Sequence, residues 1–169
     1  MWNSIRDDVL NGLNTHKHTG RLIITGISLG GGLSCLSYVD IAKSGLFEKV
    51  EVITFGAPRV GNKNWANWFD TQTSSLRFFI SGDPIAALPR CLTPICNYKQ
   101  TGTAIVCHKN SETCVEKNPG EIEELSPQET INAVTQAVTE HYFEEDGDDN
   151  GLIDHITGYK LIRTYTLVD

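Results

Sequence analysis

A serine between two glycines, set between an apolar run and a helical pattern, constrains the fold of this chain most strongly. Residues 26–30 read Gly-Ile-Ser-Leu-Gly and fit the pattern G-x-S-x-G. Residues 21–25 (RLIIT) predict a short buried strand, and residues 33–44 predict a helix. A serine on such a strand-to-helix turn is held in a strained conformation above the sheet, and the flanking positions must be small. The pattern predicts Ser28 as a nucleophile, although an ordinary glycine turn is the alternative.

The rest of the chain alternates between strand and helix patterns. A first amphipathic helix, a strand at 50–55, a helix at 62–72 and a strand at 76–80 are predicted. In the third of these, Trp65, Trp68 and Phe69 are expected on one face. A hairpin with arms at 104–107 and 113–116 follows, and then helices from Ser126 to Glu140 and from His155 to Leu161. This order predicts an α/β fold with a mostly parallel sheet.

Length and charge limit the domain count and the partners. At 169 residues the chain accommodates a single domain spanning 1–169. The formal charge of −7 repels phosphate backbones, so nucleic acid is excluded as a partner. No apolar run approaches the roughly 20 residues that span a bilayer, and the first residues do not resemble a signal peptide.

Five cysteines leave the compartment open. Cys91 and Cys96, and likewise Cys107 and Cys114, are close enough in sequence to pair across a turn. Such disulfides would favour an oxidising compartment, and this is the argument for a secreted protein. Cys35 lies among apolar residues and is expected to be free and to behave as a small hydrophobic side chain.

A nucleophilic serine needs a base and an acid as partners. In this type of fold both follow the serine along the chain, the acid first and the histidine second. Asp83 comes directly after a predicted strand and is the candidate acid, with a turn aspartate before proline as the alternative. Of the later histidines, His108 is expected at the surface and His141 at a helix end. His155 lies where an acidic loop meets a helix, which suits a base.

Four segments together resemble the class 3 lipase family, the fungal-type triacylglycerol lipases and their esterase relatives. They are residues 22–34 (LIITGISLGGGLS), 52–61 (VITFGAPRVG), 77–89 (RFFISGDPIAALP) and 154–159 (DHITGY). The resemblance implies an α/β-hydrolase-type three-layer sandwich. It also implies Ser28, Asp83 and His155 as a catalytic triad, no cofactor, and hydrolysis of lipid carboxylic esters at a lipid–water interface. The Leu29 N–H is expected to contribute to the oxyanion site.

The chain also departs from the family pattern. Ile27 stands where the family usually has histidine, and activity is expected to survive because this position is not in the triad. The amino-terminal strands, a second oxyanion donor and a lid helix are expected to be absent. This would leave a bare sheet edge and an uncovered apolar face. Three explanations stay open: the chain is a fragment, another chain covers the edge, or the chain is a weakly active relative.

The acidic loop that precedes His155 offers a weaker calcium signal. Asp146, Asp148 and Asn150 match the first part of an EF-hand-like loop, but Thr157 replaces the closing bidentate glutamate. A solvated acidic loop is the favoured interpretation.

Three alternative functions remain open from the sequence. They are a non-catalytic or weakly active relative that binds lipid, an esterase of the same fold such as a phospholipase A1 or a feruloyl-type esterase, and a calcium-binding protein.

Overall fold

The computed structural model describes residues 1–15, 20–89, 97–108 and 114–117, together with positions 128, 131, 132 and 135. These residues form three helices and seven strands. In chain order they are α1 (Trp2–Thr15), β1 (Arg21–Ile27), α2 (Leu29–Lys43), β2 (Lys49–Phe55), β3 (Gly61–Asn62), α3 (Lys63–Gln72), β4 (Ser75–Ile80), β5 (Tyr98–Lys99), β6 (Thr103–Cys107) and β7 (Cys114–Lys117).

The described strands form one five-stranded sheet and one small pair. The sheet has the order β1-β2-β4-β6-β7, in which the first four strands are parallel and β7 runs antiparallel to β6. Ile27, Phe55 and Phe78 lie side by side across β1, β2 and β4. Because parallel strands end at the same edge of a sheet, the loops after β1, β2 and β4 meet there. The predicted α/β class with a mostly parallel sheet is confirmed.

One face of the sheet packs against α2 and α3. Cys35 and Tyr38 from α2 meet Val52 of β2 and Phe69 of α3 in a buried cluster. The Tyr38 and Phe69 rings make an edge contact with their centroids 5.2 Å apart, and Trp65 stacks on Phe69 at the same distance. Phe69 is fully buried, which stabilises the fold by about 2–3 kcal/mol.

The predicted apolar face of α3 is partly wrong. Trp65 and Phe69, four residues apart, do pack inward, but Trp68 is exposed and Ala66 is buried instead. Residues 65, 66 and 69 form the narrower stripe that a ten-residue helix can bury against a single sheet face.

The other face of the sheet has charges at one end and aromatic rings at the other. At the amino end of the strands, Arg21 and Lys49 form ion pairs with Glu51. The hydrogen bond from Lys49, together with that from Arg21, lowers the pKa of Glu51. At the carboxyl end, Phe55 and Phe78 stack with ring centroids 5.2 Å apart. The apolar contacts of this face therefore lie close to the edge where the loops meet.

Element types were predicted well, and their limits less well. Helix α2 begins at Leu29 instead of residue 33, although three glycines follow Leu29 and glycine disfavours helix. The hairpin of β6 and β7 is confirmed, with Ile105 opposite Glu116. The short pair of β3 and β5 was not predicted, because two-residue strands leave no periodic pattern. The predicted helix after residue 155 lies outside the described residues.

The cysteines follow the prediction where they are described. Cys107 and Cys114 form a disulfide that joins the ends of β6 and β7. Cys35 is a free, buried cysteine. Its burial raises the pKa of the thiol to about 11. The predicted partners Cys91 and Cys96 lie outside the described residues.

Candidate active site

Ser28 occupies the turn that joins β1 to α2, as its sequence pattern predicts. Its backbone has φ 54° and ψ −127°, and it is the one non-glycine residue with positive φ in the described part of the chain. Its N–H donates to the carbonyl oxygen of Phe55 in the neighbouring strand, 2.8 Å away. A serine before a helix usually caps it, but the Ser28 side chain makes no capping hydrogen bond. The hydroxyl is therefore not used to close the helix.

The glycines around Ser28 have unequal roles. A Cβ atom at Gly26 would lie 2.3 Å from the carbonyl oxygen of Gly30, and one at Gly31 would lie 2.7 Å from the Cβ of Ala57. A Cβ at Gly30 meets nothing within 4 Å. The expectation that both flanking positions must be small holds for Gly26 and is wrong for Gly30. The second close approach falls one residue later, because Gly31 faces the loop after β2.

The first turn of α2 points unpaired N–H groups at this corner. The earliest hydrogen bonds of the helix run from the N–H groups of Gly31 and Gly32 to the carbonyl oxygen of Ser28, at 3.0 and 3.3 Å. Leu29 is the first helical residue, so its N–H has no acceptor within the helix. Its side chain is 58 % exposed. Such a helix start favours negative charge beside Ser28.

Asp83 lies in a tight turn that follows β4. The Asp83 N–H donates to the carbonyl oxygen of Ile80 at 3.0 Å, and Gly82 takes a positive φ of 84° to close the turn. The Oδ1 atom of Asp83 accepts a hydrogen bond from the N–H of Ile85, 2.9 Å away. Aspartate side chains in turns often accept such a bond from the backbone N–H two residues later. It fixes the half-buried carboxylate relative to its own backbone.

Ser28 and Asp83 follow strands that lie two positions apart in the sheet. Ser28 comes after β1 and Asp83 after β4, with β2 between them. Two strand spacings amount to about 10 Å. A separation of that size prevents direct contact and leaves room for a third side chain between the two residues.

The segment that carries Asp83 is tied to the loop after β2. The side-chain amide of Gln100 donates to the carbonyl oxygens of Ala57 at 3.1 Å and of Ala86 at 2.7 Å. The Arg59 N–H donates to the carbonyl oxygen of Leu88 at 2.6 Å. The sequence analysis missed Gln100, because its partners are 43 and 14 residues away and no local pattern indicates them.

Several candidate residues fall outside the described residues. They are His155 and the calcium candidates Asp146, Asp148 and Asn150. Within the described ranges, no group of three or more His, Cys, Asp or Glu side chains is placed to hold a metal ion. His108 is described and exposed, as expected. In the same ranges no helix combines the length and the apolar character needed to cross a membrane.

Several lipases have similar sequences. A secreted mono- and diacylglycerol lipase A of Penicillium cyclopium is 29 % identical over 91 residues, which are 52 % of this chain and 30 % of that protein. A lipase of Caenorhabditis elegans is 42 % identical over 72 residues, or 41 % of this chain and 20 % of that protein. The chain thus spans about a third or less of these relatives.

Solved lipase structures share the fold. A triacylglycerol lipase from Penicillium expansum superimposes with a TM-score of 0.61 at 20 % identity, covering 72 % of this chain and 48 % of that one. The mono- and diacylglycerol lipase of Penicillium cyclopium gives a TM-score of 0.57 at 23 % identity, covering 72 % and 44 %. The predicted α/β-hydrolase fold is confirmed.

The family assignment rests on the first half of the chain. The sequence model of the family described as lipase (class 3) matches residues 1–93, which include both Ser28 and Asp83. That match covers more than half of the chain and includes the strand–turn–helix around Ser28. The chain therefore belongs to the class 3 lipase family, as its resemblance predicted.

Proposed function

We propose that this chain is a serine hydrolase that cleaves carboxylic esters of lipids, with Ser28 as nucleophile, His155 as base and Asp83 as acid. In this proposal residues 1–169 form one catalytic domain. The single observation that carries it is the backbone of Ser28. A positive φ on a serine costs about 1–3 kcal/mol, and such strain is concentrated at active sites. A serine that served only to cap α2 would need neither this conformation nor a hydroxyl free of the helix.

In the proposed reaction the Ser28 Oγ attacks the ester carbonyl carbon while the His155 imidazole accepts the hydroxyl proton. The negative charge that develops on the carbonyl oxygen is stabilised by the Leu29 N–H at the start of α2. His155 then gives its proton to the departing alcohol, and an acyl-enzyme remains. A water molecule, deprotonated by the same imidazole, then attacks the acyl carbon. The bond to the Ser28 Oγ breaks, the imidazole returns the proton to that oxygen, and the carboxylic acid leaves. Asp83 orients the imidazole and stabilises its charged form.

The position of Asp83 supports the acid role. Asp83 follows a strand two positions from β1 at the same edge of the sheet as Ser28, which leaves room for one imidazole between them. The order Ser28, Asp83, His155 along the chain is the order of α/β-hydrolases. The bond from the Ile85 N–H limits the rotation of the carboxylate, as an orienting group requires.

A fluorophosphonate probe with mass spectrometry tests the nucleophile. We expect one adduct on Ser28, lost in Ser28→Ala and strongly reduced in His155→Ala. Ser44→Ala is the matched control, because Ser44 lies at the other end of α2 and its hydroxyl donates to the Ile41 carbonyl. An adduct that persists in Ser28→Ala, or a folded protein without any adduct, would refute the proposal and favour a non-catalytic lipid-binding relative.

The substrate class is part of the proposal. Lipid esters are favoured because the relatives are lipases and because the apolar side chains of Ile27 and Leu29, 42 % and 58 % exposed, flank Ser28. Action at a lipid–water interface would bring these side chains against the lipid. Hydrolysis rates for triacylglycerol, diacylglycerol, phospholipid and feruloyl esters test this, each below and above the solubility limit. A preference for phospholipid or feruloyl esters would contradict the proposed lipase activity but would leave the proposal of a serine hydrolase intact.

We also propose that another chain covers the outer edge of β1. In the described sheet β1 pairs only with β2, and its Ile23 and Ile27 side chains are 44 % and 42 % exposed. An unpaired strand edge with apolar side chains favours strand addition. Light scattering at increasing protein concentration tests this. We expect association that Ile23→Lys weakens, and a monomer at all concentrations would contradict it.

A further inference from the structure

The side chain of Gln100 joins two loops at the edge of the sheet where Ser28 and Asp83 lie. Its Nε2 atom donates to Ala57 in the loop after β2 and to Ala86 in the segment after β4. Gln100 itself belongs to neither loop and lies between β5 and β6. Together with the direct bond from the Arg59 N–H to the Leu88 carbonyl oxygen, it holds these two segments at a set distance from each other.

A primary amide suits these bonds, because it is uncharged and donates twice. An NH₂ group has two hydrogens, and each is directed at one main-chain carbonyl oxygen. A carboxylate of the same shape would place negative charge against two carbonyl oxygens, and an aliphatic side chain would leave both unpaired. Only glutamine and asparagine carry such a group, and asparagine is one methylene shorter.

The two joined loops lead directly to the candidate catalytic residues. Ala57 lies two residues after Phe55, whose carbonyl oxygen accepts the Ser28 N–H at 2.8 Å. Ala86 lies three residues after Asp83, in a run of turns. In that run the N–H of Ile85 bonds Asp83, and the N–H of Leu88 bonds the Ile85 carbonyl at 3.0 Å. Hydrogen bonds thus connect the backbone of Ser28 to the carboxylate of Asp83 through Gln100.

We propose that Gln100 is a positioning residue, which holds the segment of Asp83 at the distance from Ser28 that an imidazole between them requires. The inference rests on the proposed function, and it adds a residue that lies beyond the part matched by the family. Gln100 would touch no substrate. It would act through Asp83, because a carboxylate that drifts by about 1 Å can cost about 100-fold in rate.

Two measurements test the proposal, and either of them can refute it without the other. The first is hydrogen–deuterium exchange of residues 81–89, which needs no activity. In Gln100→Leu we expect these amides to exchange about tenfold faster, with α2 unchanged. Gln72→Leu is the matched control, because the Gln72 amide bonds only the exposed Thr71 hydroxyl among described contacts. Unchanged exchange in Gln100→Leu would overturn the proposal.

The second measurement is the pH dependence of ester hydrolysis. We expect Gln100→Leu and Gln100→Glu to lower kcat about 10- to 100-fold with little change in KM. A nearby carboxylate favours the charged imidazole, so its displacement should move the acid limb of the kcat/KM profile to lower pH. Gln100→Asn should restore part of the rate. A lower rate with an unmoved acid limb would indicate a merely structural role and overturn the positioning role.

The reference variant Asp83→Asn separates this proposal from the proposed function. If Asp83→Asn hydrolyses esters as fast as the unaltered chain, the proposed triad is wrong, and positioning of Asp83 falls with it. If Asp83→Asn is inactive and the Gln100 variants keep the rate and profile of the unaltered chain, only the inference about Gln100 is refuted.

Discussion

The N–H of Ser81 donates to the carbonyl oxygen of Cys107 across a distance of 2.8 Å. The start of the segment that carries Asp83 is therefore bonded to Cys107, which the disulfide joins to Cys114. Its other end is tied to the loop after β2 through Gln100 and Arg59. Both ends of the segment that carries Asp83 are thus bonded to neighbouring elements, in addition to the bonds within its own turns.

Removal of this disulfide should destabilise the fold. The bridge closes a loop with a sequence separation of 7, for which the chain-entropy account gives about 2–3 kcal/mol. We expect the double variant Cys107→Ala/Cys114→Ala to lose about this much free energy of unfolding in urea. The unaltered chain, titrated in the same way, serves as reference. A double variant as stable as the unaltered chain would show that the hairpin is held by its backbone pairing alone.

Alanine substitutions at the two glycines that flank Ser28 should have opposite effects. In Gly26→Ala the new methyl group collides with the Gly30 backbone, which neither side can relieve by a rotamer change, so we expect a loss of about 3 kcal/mol or more. In Gly30→Ala the methyl group meets open space on a helix, so we expect a gain of about 0.5–1 kcal/mol. Thermal and urea unfolding of both variants measure this. Equal stabilities would contradict the described approach of β1 and α2.

Glycine at position 28 should increase stability while it removes the proposed nucleophile. The positive φ of Ser28 strains any residue with a Cβ, and alanine keeps that strain. We expect Ser28→Gly to be more stable than Ser28→Ala by about 1 kcal/mol. Glycine removes the backbone strain, but its larger conformational entropy in the unfolded chain offsets part of that gain. Paired urea titrations decide the order. If alanine is the more stable variant, the turn is relaxed in solution and the strain argument fails.

The buried thiol of Cys35 should make the fold sensitive to alkali. The thiol has a pKa of about 11 in the folded chain, and its ordinary value is 9.0. Between these pH values the thiol is ionised in the unfolded chain and stays protonated in the folded chain. Stability should be unaffected by this group below pH 9.0 and should fall between pH 9.0 and about 11, by about 3 kcal/mol at most.

The variant Cys35→Ser separates that effect from other alkaline titrations. Serine has nearly the same shape and does not ionise in this range, so its stability should fall less steeply above pH 9.0. The difference between the two urea midpoints is measured at pH 8 and at higher pH. A difference that does not change with pH would show that the thiol does not control the alkaline loss. Iodoacetamide should also leave Cys35 unmodified until the chain unfolds.

Local patterns predicted the part of the site that depends on neighbours in sequence. The turn at Ser28 and the placement of Asp83 after a strand follow from residues within a few positions. The start of α2 was missed because helix propensity penalises glycine, whereas here Gly31 is required for contact with Ala57. Gln100 was missed for a related reason. Its role depends on which loops the strand order of the sheet brings together. A single polar residue in a connecting segment does not indicate this strand order.

Main-chain acceptors have a consequence for how such a site can diversify. Gln100 bonds the carbonyl oxygens of residues 57 and 86, and Arg59 bonds that of residue 88 through its own N–H. Every amino acid supplies the same carbonyl, so these anchors do not depend on which side chain stands at position 86 or 88. Evolution can exchange the side chains that border the segment of Asp83 without disturbing the attachment of its carboxylate.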